Sequence, residues 1–359
     1  MKNLKQSILL AAAALSFILA SCHKDKKVIP ATTPVTDGLY VLNQGIFNDN
    51  NSTLSFYSYT SKQVTPDIFS SVNNRGLGDT GNDIEIYGSK MYIVVNVSST
   101  IEVVDAKTAK SIKQIKLING ATPREPRDIV FYKNNAFITS YDGTVAVMDT
   151  TALTVSQYIT VGANPEQLAI SNGKLYVANS GGLNYPDVAN TVSVINLNTL
   201  TATKTITVIA DPVSIIADSF GNVYVLSFGV TNGNTTINPG MTIISSTTDA
   251  IESQPAVNLG YNIPIAAQGD FVYYPTADNK IAVYNAQTQA PAQANFITDG
   301  TVITTPYAIA ADASTGEVFV TDAKDYSSNG TLYAFDKTGK KEYSITVGIN
   351  PGRVALLKN

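Results

Sequence analysis

Residues 168–208 constrain the fold more than any other part of this chain: LAISNGKLYVANSGGLNYPDVANTVSVINLNTLTATKTITV. They read as four short strands in a row. Residues 168–170 are apolar and end at Asn172-Gly173. Residues 174–179 alternate apolar and polar, and a polar loop, 180–190, follows. Residues 191–197 alternate again, Asn198-Thr199 turns the chain, and 200–208 form the fourth strand. Period-two alternation bounded by Asn, Gly and Thr marks half-buried antiparallel strands rather than helix. The unit recurs along the whole chain, and repetition at this spacing predicts a propeller.

Taking that unit as blade four, the other blades fall into register. Blade one has 38–43, 52–59 and 63–69 but lacks an inner strand. Blades two and three run 83–118 and 128–161, and blades five, six and seven run 214–259, 265–297 and 308–347. One segment is left over, 353–357 (RVALL), which matches the LAI of blade four. It therefore supplies the missing inner strand, closes the ring and removes an open sheet edge. The expectation is an all-β, seven-bladed β-propeller over 38–359, with blade one closed by the C-terminal strand and about 46 residues per blade. Pro126, Pro165, Pro212, Pro306 and Pro351 stand just before inner strands, where a residue with fixed φ and no N–H is tolerated.

Composition narrows the chemistry. The chain has no Trp, one Cys and one His, and a formal charge of −4. No basic excess exists for nucleic acid. Cys22 and His23 both precede the repeats, so the propeller can hold no Ser-His-Asp triad, Cys-His dyad or His-ligated metal. A haem-d1 propeller needs histidine, and quinoprotein propellers are typically built with tryptophan docking motifs. Residues 1–21 read as a lipoprotein signal peptide: Lys2 and Lys5, an apolar stretch at 8–19, and Leu19-Ala20-Ser21 before Cys22. Cleavage there makes Cys22 the lipid anchor, and several acyl chains on one residue hold far more firmly than one. Residues 22–37, with Pro30 and Pro34 among Thr and Ala, read as a flexible tether.

Two loop sets share one propeller face: the joins between blades and the loops between second and third strands. The long segments fall in those sets, at 44–51, 70–82, 119–127, 180–190, 229–240, 298–307 and 323–330. The remaining loops are tight turns. Binding function concentrates on such elaborated loops. The candidate ligand-binding residues there are Phe47, Asp79, Arg124, Arg127, Glu166, Gln167, Asn184, Tyr185, Phe228, Tyr261, Tyr307, Tyr326 and Arg353. Aromatics would cover apolar ligand faces, while Asn, Gln and Arg would meet amides and phosphate. Residues 79–83, DTGND, lack the odd spacing and terminal Glu of a calcium loop and read as a capped turn. Asn43, Asn96 and Asn179 recur at equivalent strand ends and are expected to bond neighbouring backbone.

The repeat resembles the YVTN-type propellers, here as NPEQLAI, LYVAN, TVSVINLNT and TITV. Three further stretches, GLYVLNQGIFNDNNSTLSFYSY, LGDTGNDIEIYGSKMYIVVNVSSTIEVVD and PREPRDIVFYKNNAFITSYDGTVAVMD, resemble the cobalamin-binding lipoprotein propellers of the Bacteroidetes, of the BtuG type. That resemblance implies an outer-membrane lipoprotein, displayed at the cell surface, that captures a corrinoid (vitamin B12) and passes it to a TonB-dependent transporter. It implies ligand capture rather than catalysis, with no cofactor and no metal. Two alternatives stay open: a protein- or glycan-binding envelope scaffold, and a calcium-dependent lactonase-like hydrolase with Glu166, Asn179 and Asp128 as ligands.

Overall fold

A computed structural model describes residues 36–358. The expected signal peptide, the expected lipid anchor at Cys22 and the expected tether up to residue 35 lie outside the described residues. Among the described residues no helix is long and apolar enough to cross a membrane. Seven four-stranded antiparallel sheets form the blades of the expected propeller. In blade four the strands Pro165–Ser171, Lys174–Asn179, Thr191–Asn196 and Thr201–Thr207 pair in sequence order from the inside out.

Blade one is closed as the leftover segment requires. The strand Pro351–Lys358 lies antiparallel to Thr36–Asn43, with Tyr40 opposite Ala355 and Thr36 opposite Lys358. The first strand thus begins at Thr36, two residues inside the expected tether. Thr36 is held there by its hydroxyl, which donates to Asp312 at 2.5 Å, and Lys358 Nζ binds the same carboxylate at 2.9 Å. Blade one departs from expectation at its outer edge as well. Its fourth strand is only Val64–Thr65, and the chain then turns into a short helix, α1, Ile68–Asn73. Pro66 has no N–H for the ladder, and the Asp67 carboxylate caps the helix by accepting the Ser70 N–H. Phe69 is thereby buried between blades one and two instead of lying on a strand.

The core is seven apolar clusters, one between each pair of neighbouring blades. Alternation along each middle strand sends side chains into the two flanking clusters in turn. In blade two, Tyr92 and Val94 pack toward blade three, while Met91, Ile93 and Val95 pack toward blade one. The tyrosine of two YV-type strands has a second role. Tyr40 donates its hydroxyl to Ala106 O of the next blade at 2.8 Å, and Tyr176 donates to Asp249 of the next blade at 2.5 Å. The ring fills the interface and the hydroxyl fastens the neighbouring turn, a combination Phe cannot supply.

Five inner strands begin at the punctuating prolines. The residue before four of them, Glu125, Asn164, Asp211 and Asn350, has φ between 42° and 57°. This left-handed step turns each join inward. After it, the second and third residues of these strands, such as Arg127 and Asp128, line the mouth of the central channel.

Candidate functional site: the channel mouth and its loops

The mouth lies on the elaborated face. It is a cavity of about 210 Å³ lined by Gln44, Asn82, Arg127, Glu166, Gln167, Phe228, Asn262, Tyr307 and Arg353, among others. That is below the roughly 300–1,000 Å³ that encloses a drug-sized ligand, so a large ligand must rest over it. Beneath it the channel opens to about 420 Å³, walled mainly by Ile, Val, Leu and Ala of the inner strands.

Side chains from successive inner strands staple the blades together at the mouth. Asp83 accepts the Ile129 N–H at 3.0 Å, Asp128 the Leu168 N–H at 2.8 Å, and Gln167 the Ile215 N–H at 3.1 Å. Arg353 completes the circuit, donating to Asp83 at 2.9 Å with Asp128 3.6 Å away. One layer up, Arg127 donates to Glu166 at 2.8 Å and to Asn82 at 2.6 Å, and lies over the Tyr141 ring at 4.6 Å. Tyr141 in turn donates to Glu166 at 2.6 Å. Burial works against the Arg127 charge, and Glu166 more than offsets it, so the guanidinium holds its proton more tightly than usual.

Burial raises the Asp128 carboxyl well above the ordinary range, reinforced by Asp83 and opposed by Arg353. Glu85 projects into the channel, where enclosure by the ring and then Asp83 push its carboxyl to about 8, with Arg353 acting the other way. The pole of the mouth between blades one and four is therefore polar, tightly bonded and already charge-paired.

The opposite pole is aromatic. Phe228 and Tyr261 stack with centroids 6.0 Å apart. Asn262 donates to the Tyr326 hydroxyl at 2.8 Å, Tyr326 meets Tyr307 edge to face at 6.0 Å, and the Tyr307 hydroxyl bonds Gln44. Burial pushes the Tyr307 hydroxyl up to about 12, so it is a neutral donor at any working pH. Contacts thus run without a break from blade five through six and seven to blade one. Tyr185, on the blade-four loop, joins from the other side by donating to Thr231 O at 3.2 Å.

Of the residues expected from sequence, the mouth gathers Arg127, Glu166, Gln167, Phe228, Tyr307 and Arg353. Tyr185 and Tyr261 stand on the rim, with Phe228, around an adjoining groove. Tyr326 contacts the mouth through Tyr307. The others lie apart from both cavities. Phe47 projects from its loop, and Asn184 sits in a short turn, Gly182–Asn184. Asp79 braces its own loop, accepting from the Asn48 N–H at 3.1 Å and from Thr80 at 2.8 Å. Arg124 binds Asp142 and lies over the Tyr158 ring at 3.7 Å. Asn179, an imagined calcium ligand, is fully buried in its blade, bonding Thr191, Ser193 and the Gly162 N–H. Asn43 makes the same set of bonds to Thr53, Ser55 and Gly348, whereas Asn96 donates to Pro126 O. Among the described residues no group of three or more His, Cys, Asp or Glu could hold a metal ion.

Gln44 and Asp83 were not singled out from the sequence. Asp83 stands two residues after Gly81, as Asp128 does after Pro126, and that offset is the signal that could have found it. The hairpin Val230–Asn232 and Thr235–Ile237, which walls the groove, was also missed within an expected loop. Its signal is Gly233-Asn234, the two-residue turn, with Gly233 at φ +59°.

The chain is thus a seven-bladed propeller with a plain face, a loop-built face and a small polar mouth. The chain belongs to the family described as a domain of unknown function, DUF5074, whose pattern matches residues 37–350. A comparison with curated proteins finds no match. Among solved structures, the chain is similar to a quinonprotein alcohol dehydrogenase-like protein from Bacteroides thetaiotaomicron, with a TM-score of 0.66 and 17% identity over 90% of this chain and 79% of that one. It is also similar to hydrazine synthase of Kuenenia stuttgartiensis, with a TM-score of 0.59 and 15% identity over 72% of this chain and 76% of that one. At these identities the likeness concerns the fold alone.

Proposed function

We propose that this propeller is a capture protein that holds a large amphipathic ligand over the channel mouth without transforming it, the best candidate being a corrinoid. The observation that carries the reading is the distribution of exposed aromatics. Phe47, Tyr185 and Tyr261 are 67%, 63% and 85% exposed, and all three stand on the loop face. On the plain face the most exposed aromatic is Phe220, at 48%. Rings held out on short loops cost little ordering entropy and cover apolar ligand surface well. A flat macrocycle edged with amides suits such a rim, with Asn82, Asn262 and Gln44 as amide partners. Because Arg127 and Arg353 are already ion-paired, recognition rests on stacking and amide bonds rather than on a free positive charge for phosphate.

In this reading Cys22 carries the lipid that holds the protein at the outer membrane, and a TonB-dependent transporter receives the ligand. The test is calorimetry with cyanocobalamin on residues 36–359. Tyr185→Ala, Tyr261→Ala and Tyr326→Ala should each weaken binding by about 1–3 kcal/mol, as hot-spot aromatics do, and Phe220→Ala should not. No binding by the unmodified protein overturns the corrinoid reading. Binding that ignores all three rim variants would place the ligand elsewhere. The rim's uncharged aromatic faces also suit a glycan, and an oligosaccharide array run in parallel decides between the two.

A further inference from the structure

Beside the mouth, the blade-four loop, the blade-five hairpin and the join to blade six enclose a separate groove of about 360 Å³. Its walls are Tyr185, Phe228, Tyr261, Ile237 and Pro239, and Asp211 lies on its floor. Asp211, like Glu125, is an acid at the pre-proline position of the repeat. It precedes Pro212 as Asn164 precedes Pro165 and Asn350 precedes Pro351, all three with left-handed φ. At those two positions the side-chain amide donates to a neighbouring loop carbonyl: Asn164 to Tyr141 O at 3.1 Å, and Asn350 to Gly45 O at 2.9 Å. An aspartate carboxylate has no such proton to give.

Asp211 is half-buried, and several fully buried acids of the ring are served by donors. Asp83 receives Ile129 N–H and Arg353, Glu102 receives Arg75, Ser111 and Gln114, and Asp322 receives the Thr304 and Thr305 N–H groups. Among the described residues, no hydrogen-bond donor reaches the Asp211 carboxylate. Its nearest charged influence is another acid, Glu166, and burial followed by Glu166 pushes its carboxyl up to about 6. On the far side of the hairpin a second hollow shares Val230 and Ile237 and carries Asp187. Neither lining contains Lys, Arg or His.

We infer that this groove is a binding site for an organic cation, a substituted ammonium group, held by the Tyr185, Phe228 and Tyr261 rings with Asp211 as its counter-charge. Aromatic faces attract such a cation through their quadrupole, and a methylated ammonium loses little hydration on entering. The carboxylate gains the partner that the repeat's asparagine would have found in the neighbouring loop. The groove shares Phe228 with the mouth and the Tyr185 and Tyr261 rings with its rim, but its carboxylate, Asp211, is its own.

The probe is choline, followed by saturation transfer from the protein to its methyl protons, with neutral 3,3-dimethylbutan-1-ol as the isostere. Choline should bind saturably and the isostere at least tenfold more weakly. Asp211→Asn, which restores the residue the repeat uses elsewhere and so should fold, should weaken choline at least tenfold. Tyr261→Ala, at a ring that supports no core, should weaken it severalfold. Equal binding of the isostere, an unchanged affinity in Asp211→Asn, or no transfer to choline at all would each overturn the assignment. No corrinoid enters the experiment, so its failure and that of the capture reading are separately visible.

Discussion

At the scale of single residues, the same position in different blades performs different work. Asn164 and Asn350 fasten loops, whereas Asp211 introduces a charge into the same setting. Its folded pKa of about 6 lies above the ordinary aspartate value of about 3.9. Folding therefore favours the protonated form. The penalty is absent below about pH 4, grows as pH rises through 6, and is complete above it. Asp211→Asn should raise stability at pH 7.5 by about 1–2 kcal/mol, allowing for partial solvent screening, and change it little at pH 4. Denaturant unfolding at the two pH values checks this, and an equal effect at both would refute the linkage. Tyr40→Phe should cost about 1–2 kcal/mol at any pH below 10, because Ala106 O loses its donor inside the interface. The sequence made Arg127 and Arg353 legible as rim residues through their place after the prolines. It concealed their partners, since Asp83 and Arg353 are separated by 270 residues and only ring closure brings them together.

Among elements, strands were easier to read than what lies between them. Alternation exposes a strand wherever one face is buried, and each middle strand here is buried. Outer strands carry weaker patterns because most of their surface faces solvent. This is why blade five ends at Ser253, although the sequence suggested a strand to 259. The hairpin over 230–237 has exposed residues on both strands, so no apolar period marks it. The C-terminal strand was legible because one blade lacked an inner strand and one strand lacked a blade. Deleting residues 350–359 should leave Thr36–Asn43 with an unpaired edge and remove Arg353 from Asp83. The truncated chain should lose cooperative thermal unfolding or associate through that edge. A melting transition as sharp and as high as that of the full chain would show that the closing strand is dispensable.

For the whole molecule, the two faces differ: tight turns on one side, long loops on the other. Cys22→Ala in the full-length chain should release the protein from membranes or stall its processing while leaving the propeller folded. Detergent partitioning is the measurement, and unchanged partitioning would remove the lipid anchor from the proposal. The pairing of Thr36 with Lys358 also bears on the order of manufacture. The innermost strand of the first blade is made after every other strand of the ring. Throughout elongation, three strands of that blade wait with a row of free N–H and C=O groups along Thr36–Asn43. The residues of six further sheets come before their partner in the chain. Such an edge is a template for wrong pairing in an unfinished chain. The first blade is thus a latch that shuts only after the seventh blade has been made, and a chain that stops short of residue 351 leaves the ring open.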